Sequence, residues 1–158
     1  MAELPSIALR PFQRHDAAFF AALASDPRVT RFVGDGQPWD TQYTERRISE
    51  ALRDLPVDRV GSCRWFIATT DGDPVGVVVS MHRDVSVEIG YWVRPERWGQ
   101  GIGGAMVDAA LLLVPDVYST GELFARVDPA NISSARLLTG RGFQVDGHHA
   151  RVDHYRLS

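Results

Sequence analysis

One run of residues constrains this chain more than any other: Arg94-Pro95-Glu96-Arg97-Trp98-Gly99-Gln100-Gly101-Ile102-Gly103-Gly104. It opens on a proline stop, passes through four glycines, and flows into Ala105-Met106-Val107-Asp108-Ala109-Ala110-Leu111, with no helix breaker before Pro115. Glycines let successive backbone N–H groups turn toward one point with no Cβ in the way. The first turn of the following helix adds N–H groups without intrahelical partners and the positive end of the macrodipole. Together these predict an anion cradle, most simply for a phosphorylated ligand.

The rest of the chain reads as one mixed α/β domain spanning residues 1–158. Ile7–Leu9 is a short strand closed by Arg10-Pro11, His15–Ala24 a helix stopped at Asp26-Pro27, and Thr41–Leu55 a second helix ending at Pro56. Trp65–Ala68 and Val75–Met81 form a hairpin around Asp71-Gly72-Asp73-Pro74. Along the next strand Val85, Val87, Ile89, Tyr91 and Val93 share one face, and Ser86, Glu88, Gly90 and Trp92 the other. After the glycine loop and its helix come a strand at Leu123–Val127, a short helix at Ser133–Thr139, and closing strands at Phe143–Val145 and Val152–Leu157.

Composition removes several function classes. Seventeen basic residues against twenty acidic give a net charge of −3, which supports no nucleic-acid partner. Cys63 is the only cysteine, so neither an intrachain disulfide nor a cysteine-based zinc site is available. The five histidines, at 15, 82, 148, 149 and 154, are not at helical metal-ligand spacing, and no metal is expected. No apolar run approaches the roughly 20 residues that cross a bilayer, and Met1-Ala2-Glu3-Leu4-Pro5 lacks the pattern of a signal peptide. The expectation is a cytoplasmic protein without a membrane partner.

Gly99, Gly101 and Gly104 satisfy a dinucleotide-binding pattern, with Asp128 as a conceivable ribose-binding acid. In that fold the glycines follow the strand directly, whereas here Arg94-Pro95-Glu96-Arg97-Trp98 intervenes. A dinucleotide-binding oxidoreductase is therefore the weaker reading. The order of strand, Val93-Arg94-Pro95, Gly99-Gln100-Gly101-Ile102-Gly103 and helix resembles the acetyl-CoA signature of the GCN5-related N-acetyltransferases. Trp98 stands where that signature has Gln or Arg. Glu88-Ile89-Gly90-Tyr91-Trp92-Val93, Leu9-Arg10-Pro11, Trp65-Phe66-Ile67-Ala68 and the spacing of Asn131, Ser134, Leu137, Leu138, Gly142 and Phe143 are similar to the branch containing the ribosomal-protein N-terminal acetyltransferases.

The resemblance implies a mixed, mostly antiparallel sheet of about seven strands with helices on both faces, splayed between the fourth and fifth strands to admit a pantetheine arm. It implies acetyl-CoA as co-substrate and direct attack of an amine on the thioester. The backbone of Tyr91, Trp92 and Val93 would pair with the arm. Arg94, Trp98, Gly99, Gln100, Gly101, Ile102, Gly103 and Gly104 would surround the pyrophosphate, and Asn131 and Ser134 would reach the pantetheine. Asn131 also reads as a helix N-cap. Glu88 is the candidate base, since an attacking amine must lose a proton. Relatives often protonate the leaving thiolate with a tyrosine at the position of Leu138, so Ser134, Tyr91 or a water remains for that task. A non-catalytic acyl-CoA-binding module is the other alternative. The acceptor, framed by Phe12–Leu55, is a small amine or a protein N-terminus, and the chain is expected to be a monomer or homodimer.

Overall fold

The computed structural model describes residues 6–158; the sequence reading of Met1–Pro5 lies outside the described residues. In chain order the elements are β1 (Ala8–Pro11), a 3-10 turn (Arg14–Asp16), α1 (Ala17–Ala24), α2 (Pro27–Thr30), α3 (Thr41–Ala51), β2 (Cys63–Thr70), β3 (Asp73–Arg83) and β4 (Ser86–Val93). A second 3-10 turn (Pro95–Arg97) leads to α4 (Ile102–Tyr118), β5 (Leu123–Val127), α5 (Ile132–Thr139), β6 (Gln144–His149) and β7 (Val152–Leu157). The strands form one seven-stranded sheet in the order β1-β2-β3-β4-β5-β7-β6. Every neighbouring pair is antiparallel except β4 and β5, which run parallel.

Period-two alternation along the sheet separates two apolar layers. Val87 and Ile89 of β4 face Met106, Val107, Ala110 and Val114 of α4 and Leu138 of α5, with Tyr91 and Val93 packed at the border of that core. On the other face Trp65, Ile67 and Val77 meet Phe12 just after β1, Phe20 and Leu23 of α1 and Ile48 of α3, with Trp92 at the border. The two helical layers therefore cover opposite faces, and β4 contributes to both.

Several local features differ from the sequence reading; the closing strand expected over 143–145, for one, runs from Gln144 to His149. Pro27 does not merely end a helix: with Asp26 as N-cap, accepting the Arg28 N–H at 2.9 Å, it starts the one-turn α2. The helix predicted over 41–55 stops at Ala51, and Leu52 caps it. Pro115 lies inside α4, which runs on to Tyr118. A proline removes one backbone donor, but Val114 and Tyr118 are buried and the Tyr118 hydroxyl shares a 2.9 Å hydrogen bond with Ser80, so packing holds the last turn. Ser119, at φ 56°, then closes the helix in the left-handed conformation.

The contact between β3, β4 and α4 depends on Gly76. Val75 is skipped in the β2–β3 register, a bulge that shifts the strand locally, and its carbonyl accepts the Arg94 N–H at 2.9 Å. A Cβ on the neighbouring Gly76 would strike the Trp92 carbonyl oxygen and lie 2.8 Å from both Sδ and Cε of Met106. Gly76→Ala is expected to cost about 1–3 kcal/mol through overpacking and to lower the thermal midpoint by several degrees; an unaltered midpoint would contradict the close approach.

Asp16, only 5 % exposed, accepts from both terminal nitrogens of Arg10 at 2.9 and 2.8 Å and from the Gln13 N–H at 2.9 Å, tying β1 to the start of α1. The Arg10 hydrogen bonds hold its carboxyl below the usual aspartate range, against an opposing push from burial. A depressed folded value contributes stability above the unfolded value of about 4, and that stability is lost as pH falls through the folded value. Asp16→Asn is thus expected to destabilise the protein at pH 7 and to flatten the loss of stability on acidification, measured by denaturant titration across pH 2.5–7.

Candidate active site

The β4–β5 pairing consists of two rungs, Val87 with Leu123 and Glu88 with Phe124. Beyond Glu88 the strands part, while β4 stays paired with β3 up to Val93. One edge of Ile89–Val93 is thus left without a strand partner. It leads straight to the glycine loop. Gly99 and Gly101 have φ values of 76° and 78°, conformations that side chains rarely adopt. Gly101 is the N-cap of α4, and the first helical bond is Ala105 N–H to Gly101 C=O at 3.1 Å. The N–H groups of Ile102, Gly103 and Gly104 precede that bond and have no helical acceptor. Cradle and free strand edge are contiguous.

The predicted loop residues divide by what their side chains do. Ile102 is buried in the core, so only its backbone faces the cradle. Trp98, about half exposed, donates its indole N–H to the Val93 carbonyl at 2.8 Å, which fixes the exit from β4. Gln100 accepts from Arg97 Nε at 3.0 Å, and Arg94 donates to the Pro74 carbonyl at 3.3 Å. A Cβ on Gly103 would make ordinary contacts with Leu137, Tyr91 and Val93 at 3.4–3.7 Å. Gly104 serves a different partner: a Cβ there would lie 2.5 Å from the guanidinium of Arg141. Arg141, which the sequence reading did not single out, crosses from the end of α5 to Asp108 of α4 at 2.8 Å and to the Leu137 carbonyl at 3.1 Å. The pair places a guanidinium beside the first turn of α4, and no sequence motif marks it.

Tyr91 and Ser134 meet. Their hydroxyls share a 2.6 Å hydrogen bond on the α4–α5 face of the sheet. Burial pushes the Tyr91 phenol above its ordinary range, partly offset by the Ser134 hydrogen bond and the charge of Arg141, so it keeps its proton at neutral pH. Asn131 caps α5 by accepting the Ser134 N–H at 3.2 Å. Leu138 is buried in the core.

Glu88 lies on the opposite face, together with Gly90 and Trp92. Its side chain is 16 % exposed and both oxygens are engaged: Arg83 Nε donates to one at 3.0 Å, and Arg126 Nε to the other at 2.6 Å. Nearby, His154 of β7 stacks on Phe124 with 8° between ring planes, and its imidazole is held below its ordinary range, mainly by burial and then by His149 and Arg126. Toward α1 and α3 the wall is aromatic. Trp92 stacks on Phe20 at 5.4 Å, Trp39 stands edge-on to Trp92 at 5.1 Å, and Tyr43 follows at 4.7 Å. Arg47 lies over Trp39 and Tyr43 at 5.3 and 5.8 Å and donates to the Tyr43 hydroxyl at 3.0 Å. The acids Asp35 and Asp40 accept backbone N–H groups of Gln37 and Tyr43, at 3.0 and 2.7 Å. No group of three or more histidine, cysteine or carboxylate side chains that could hold a metal exists among the described residues.

Residues 6–144 match the family model described as an acetyltransferase (GNAT) domain. The chain is 25% identical over 145 residues to the N-acetyltransferase p20 of Bacillus licheniformis, itself uncharacterised, spanning 89% of this chain and 80% of that one. It is 26% identical over 151 residues to the uncharacterised N-acetyltransferase YoaA of Bacillus subtilis, spanning 92% and 83%. Among solved structures, a spermidine N-acetyltransferase from Vibrio cholerae in complex with CoA and spermine superposes with a TM-score of 0.79 at 18% identity, covering 96% and 94% of the two chains. The aminoglycoside acetyltransferase AAC(6')-Ib in complex with coenzyme A gives 0.79 at 17% identity, covering 97% and 94%. At these identities the structural likeness carries the fold: seven strands, a parallel β4–β5 pair and flanking helices.

Cys63 is buried and lies outside the glycine loop, and burial pushes its thiol above the ordinary range. The folded protein is therefore expected to show no titratable thiol toward an aromatic disulfide reagent at pH 7, and one after denaturation. Fast labelling of the native state would contradict this placement.

Proposed function

We propose that this chain, which belongs to the acetyltransferase (GNAT) domain family, transfers an acetyl group from acetyl-CoA to a primary amine at the splay between β4 and β5. The observation that supports this reading most directly is the continuity of a free strand edge, Ile89–Val93, with the unpaired N–H groups at the start of α4. A pantetheine amide pairs with an open strand edge as a further strand would. A pyrophosphate suits a glycine-rich turn at a helix N-terminus. In this reading Tyr91 and Val93 supply backbone partners, Gly99–Gly104 supply the cradle, and Asn131 and Ser134 border the arm; Trp92, expected to pair as well, instead turns its N–H and C=O toward β3 and offers the arm no backbone partner.

The amine nitrogen forms a bond to the thioester carbonyl carbon, the carbon–sulfur bond breaks, one proton leaves nitrogen and one is returned to sulfur. Glu88 is assigned the departing proton, directly or through water. Ser134 is assigned the hydrogen bond to the sulfur, with Tyr91 behind it as a protonated partner that can hand on a proton. The two assignments sit on opposite faces of the sheet, and the splay is the passage between them. The narrower resemblance to ribosomal-protein N-terminal acetyltransferases adds a protein N-terminus to the possible acceptors, and a cytoplasmic location belongs to the same reading.

Two substitutions test the roles. Glu88→Gln is expected to leave CoA affinity nearly unchanged and to lower turnover on the order of 10²-fold, with the deficit shrinking as pH rises; wild-type turnover at pH 7 would remove Glu88 from the chemistry. Ser134→Ala is expected to lower kcat more than it raises KM for acetyl-CoA. Tyr91→Phe should add little on top of it if the two hydroxyls act as a unit, whereas independent, additive losses would separate them.

A further inference from the structure

The acceptor face carries an arrangement that its assignment to amine acetylation does not explain. Glu88 and Phe124 are the last paired residues of β4 and β5, so Arg126 lies two residues into the parted segment of β5, on the face shared by Glu88 and Trp92. Arg83 approaches the same carboxylate from the end of β3. Two guanidiniums thus converge on one carboxylate, and each spends only its Nε on it. Among the described residues, neither Arg83 nor Arg126 donates a hydrogen bond through its terminal nitrogens. Both side chains are about half exposed, at 47 % and 49 %. An arginine fork with both terminal N–H groups open is the geometry that receives a carboxylate in bidentate fashion.

Charge on the surrounding walls points the same way. Arg47 covers the aromatic faces of Trp39 and Tyr43, the surface that would otherwise attract an ammonium group. Its carboxylate partner Glu50 is 3.5 Å away. The acids of the preceding loop, Asp35 and Asp40, each hold one backbone N–H of their own turn through one oxygen and keep their charge, away from the carboxylate of Glu88. Immediately around Glu88 the balance is two guanidiniums, Arg83 and Arg126, to one carboxylate, so the end of an acceptor that lies there meets net positive charge.

Resting on the acetyltransferase reading, we infer that the acceptor is a small amine that carries a carboxylate close to its reacting nitrogen, of the amino-acid type, with the carboxylate received by the open forks of Arg126 and Arg83. The same exchange serves the chemistry. A substrate carboxylate that takes up part of the two guanidiniums loosens their hold on Glu88, which is then free to receive the proton from the amine. Arg83 and Arg126 are specificity residues, and Glu88 couples recognition to proton removal.

Thiol release from acetyl-CoA with matched acceptors tests this: free L-amino acids, the corresponding amino-acid amides, and spermidine. The expected result is a kcat/KM at least tenfold higher for the acids than for their amides, with spermidine poorer still. Arg126→Gln and Arg83→Gln should each shrink the acid-to-amide ratio, Arg126→Lys should restore it only in part, and CoA affinity by calorimetry should not move in any of the three. Equal or better turnover of amides or spermidine overturns the inference, as does an acid-to-amide ratio that survives both substitutions. CoA binding with no turnover of any amino acid also overturns it, while leaving the co-substrate site standing. Absence of CoA binding would instead overturn the acetyltransferase reading beneath it.

Discussion

The parting of two parallel strands governs everything else in this molecule. Main-chain pairing between β4 and β5 stops after Glu88 and Phe124, and the sheet is otherwise continuous on both sides of that gap. Backbone groups inside a protein are nearly always paired, so a strand edge left open in the middle of a sheet presents N–H and C=O groups ready for a hydrogen-bonding partner. The gap also connects two faces with different chemistry. Toward α4 and α5 lie hydroxyls, Tyr91 and Ser134, in an apolar setting; toward α1 and α3 lie a carboxylate, guanidiniums and indole rings. What holds β4 in place beside the gap is the bulge at Val75 and the close seating of Met106 over Gly76.

Much of this was legible in the sequence, and the division between what was and was not has a physical cause. The glycine turn and the start of α4 were readable because backbone conformation writes itself locally: a left-handed turn at Gly99 and Gly101 needs glycine, and a helix start needs a stop before it. The capping role of Asn131 was readable for the same reason. Alternation along 85–93 correctly separated the residues facing α4 from those facing α1 and α3. Only its first residue, Val85, falls outside the strand and is exposed.

Partnerships across the fold left no such trace. Ser134 and Tyr91 were each named for the leaving sulfur, as alternatives, yet they are 43 positions apart and only the packing of α5 against β4 makes them one unit. Arg126 is 38 positions from Glu88, and Arg141 is 33 from Asp108. An arginine on a strand or after a helix is ordinary in a chain that has seventeen arginines and no lysine, so nothing marked these. Pro115 misled in the other direction. Its local effect is real, but burial of Val114 and Tyr118 outweighs one missing hydrogen bond.

The indole bond from Trp98 to the Val93 carbonyl has a geometric meaning of its own. That carbonyl, at the far end of the open edge, is engaged by the protein itself, while the near end is closed by the last rung at Glu88. The usable edge is therefore a measured interval of about five residues, or roughly 16 Å at the rise of an extended strand. A ligand that pairs along it and also rests its phosphates in the glycine turn has its reactive end delivered at a fixed depth. In the proposed acetyltransferase reading the fold would act as a ruler, gauging an acyl carrier by the length of its arm before any side chain examines the acyl group.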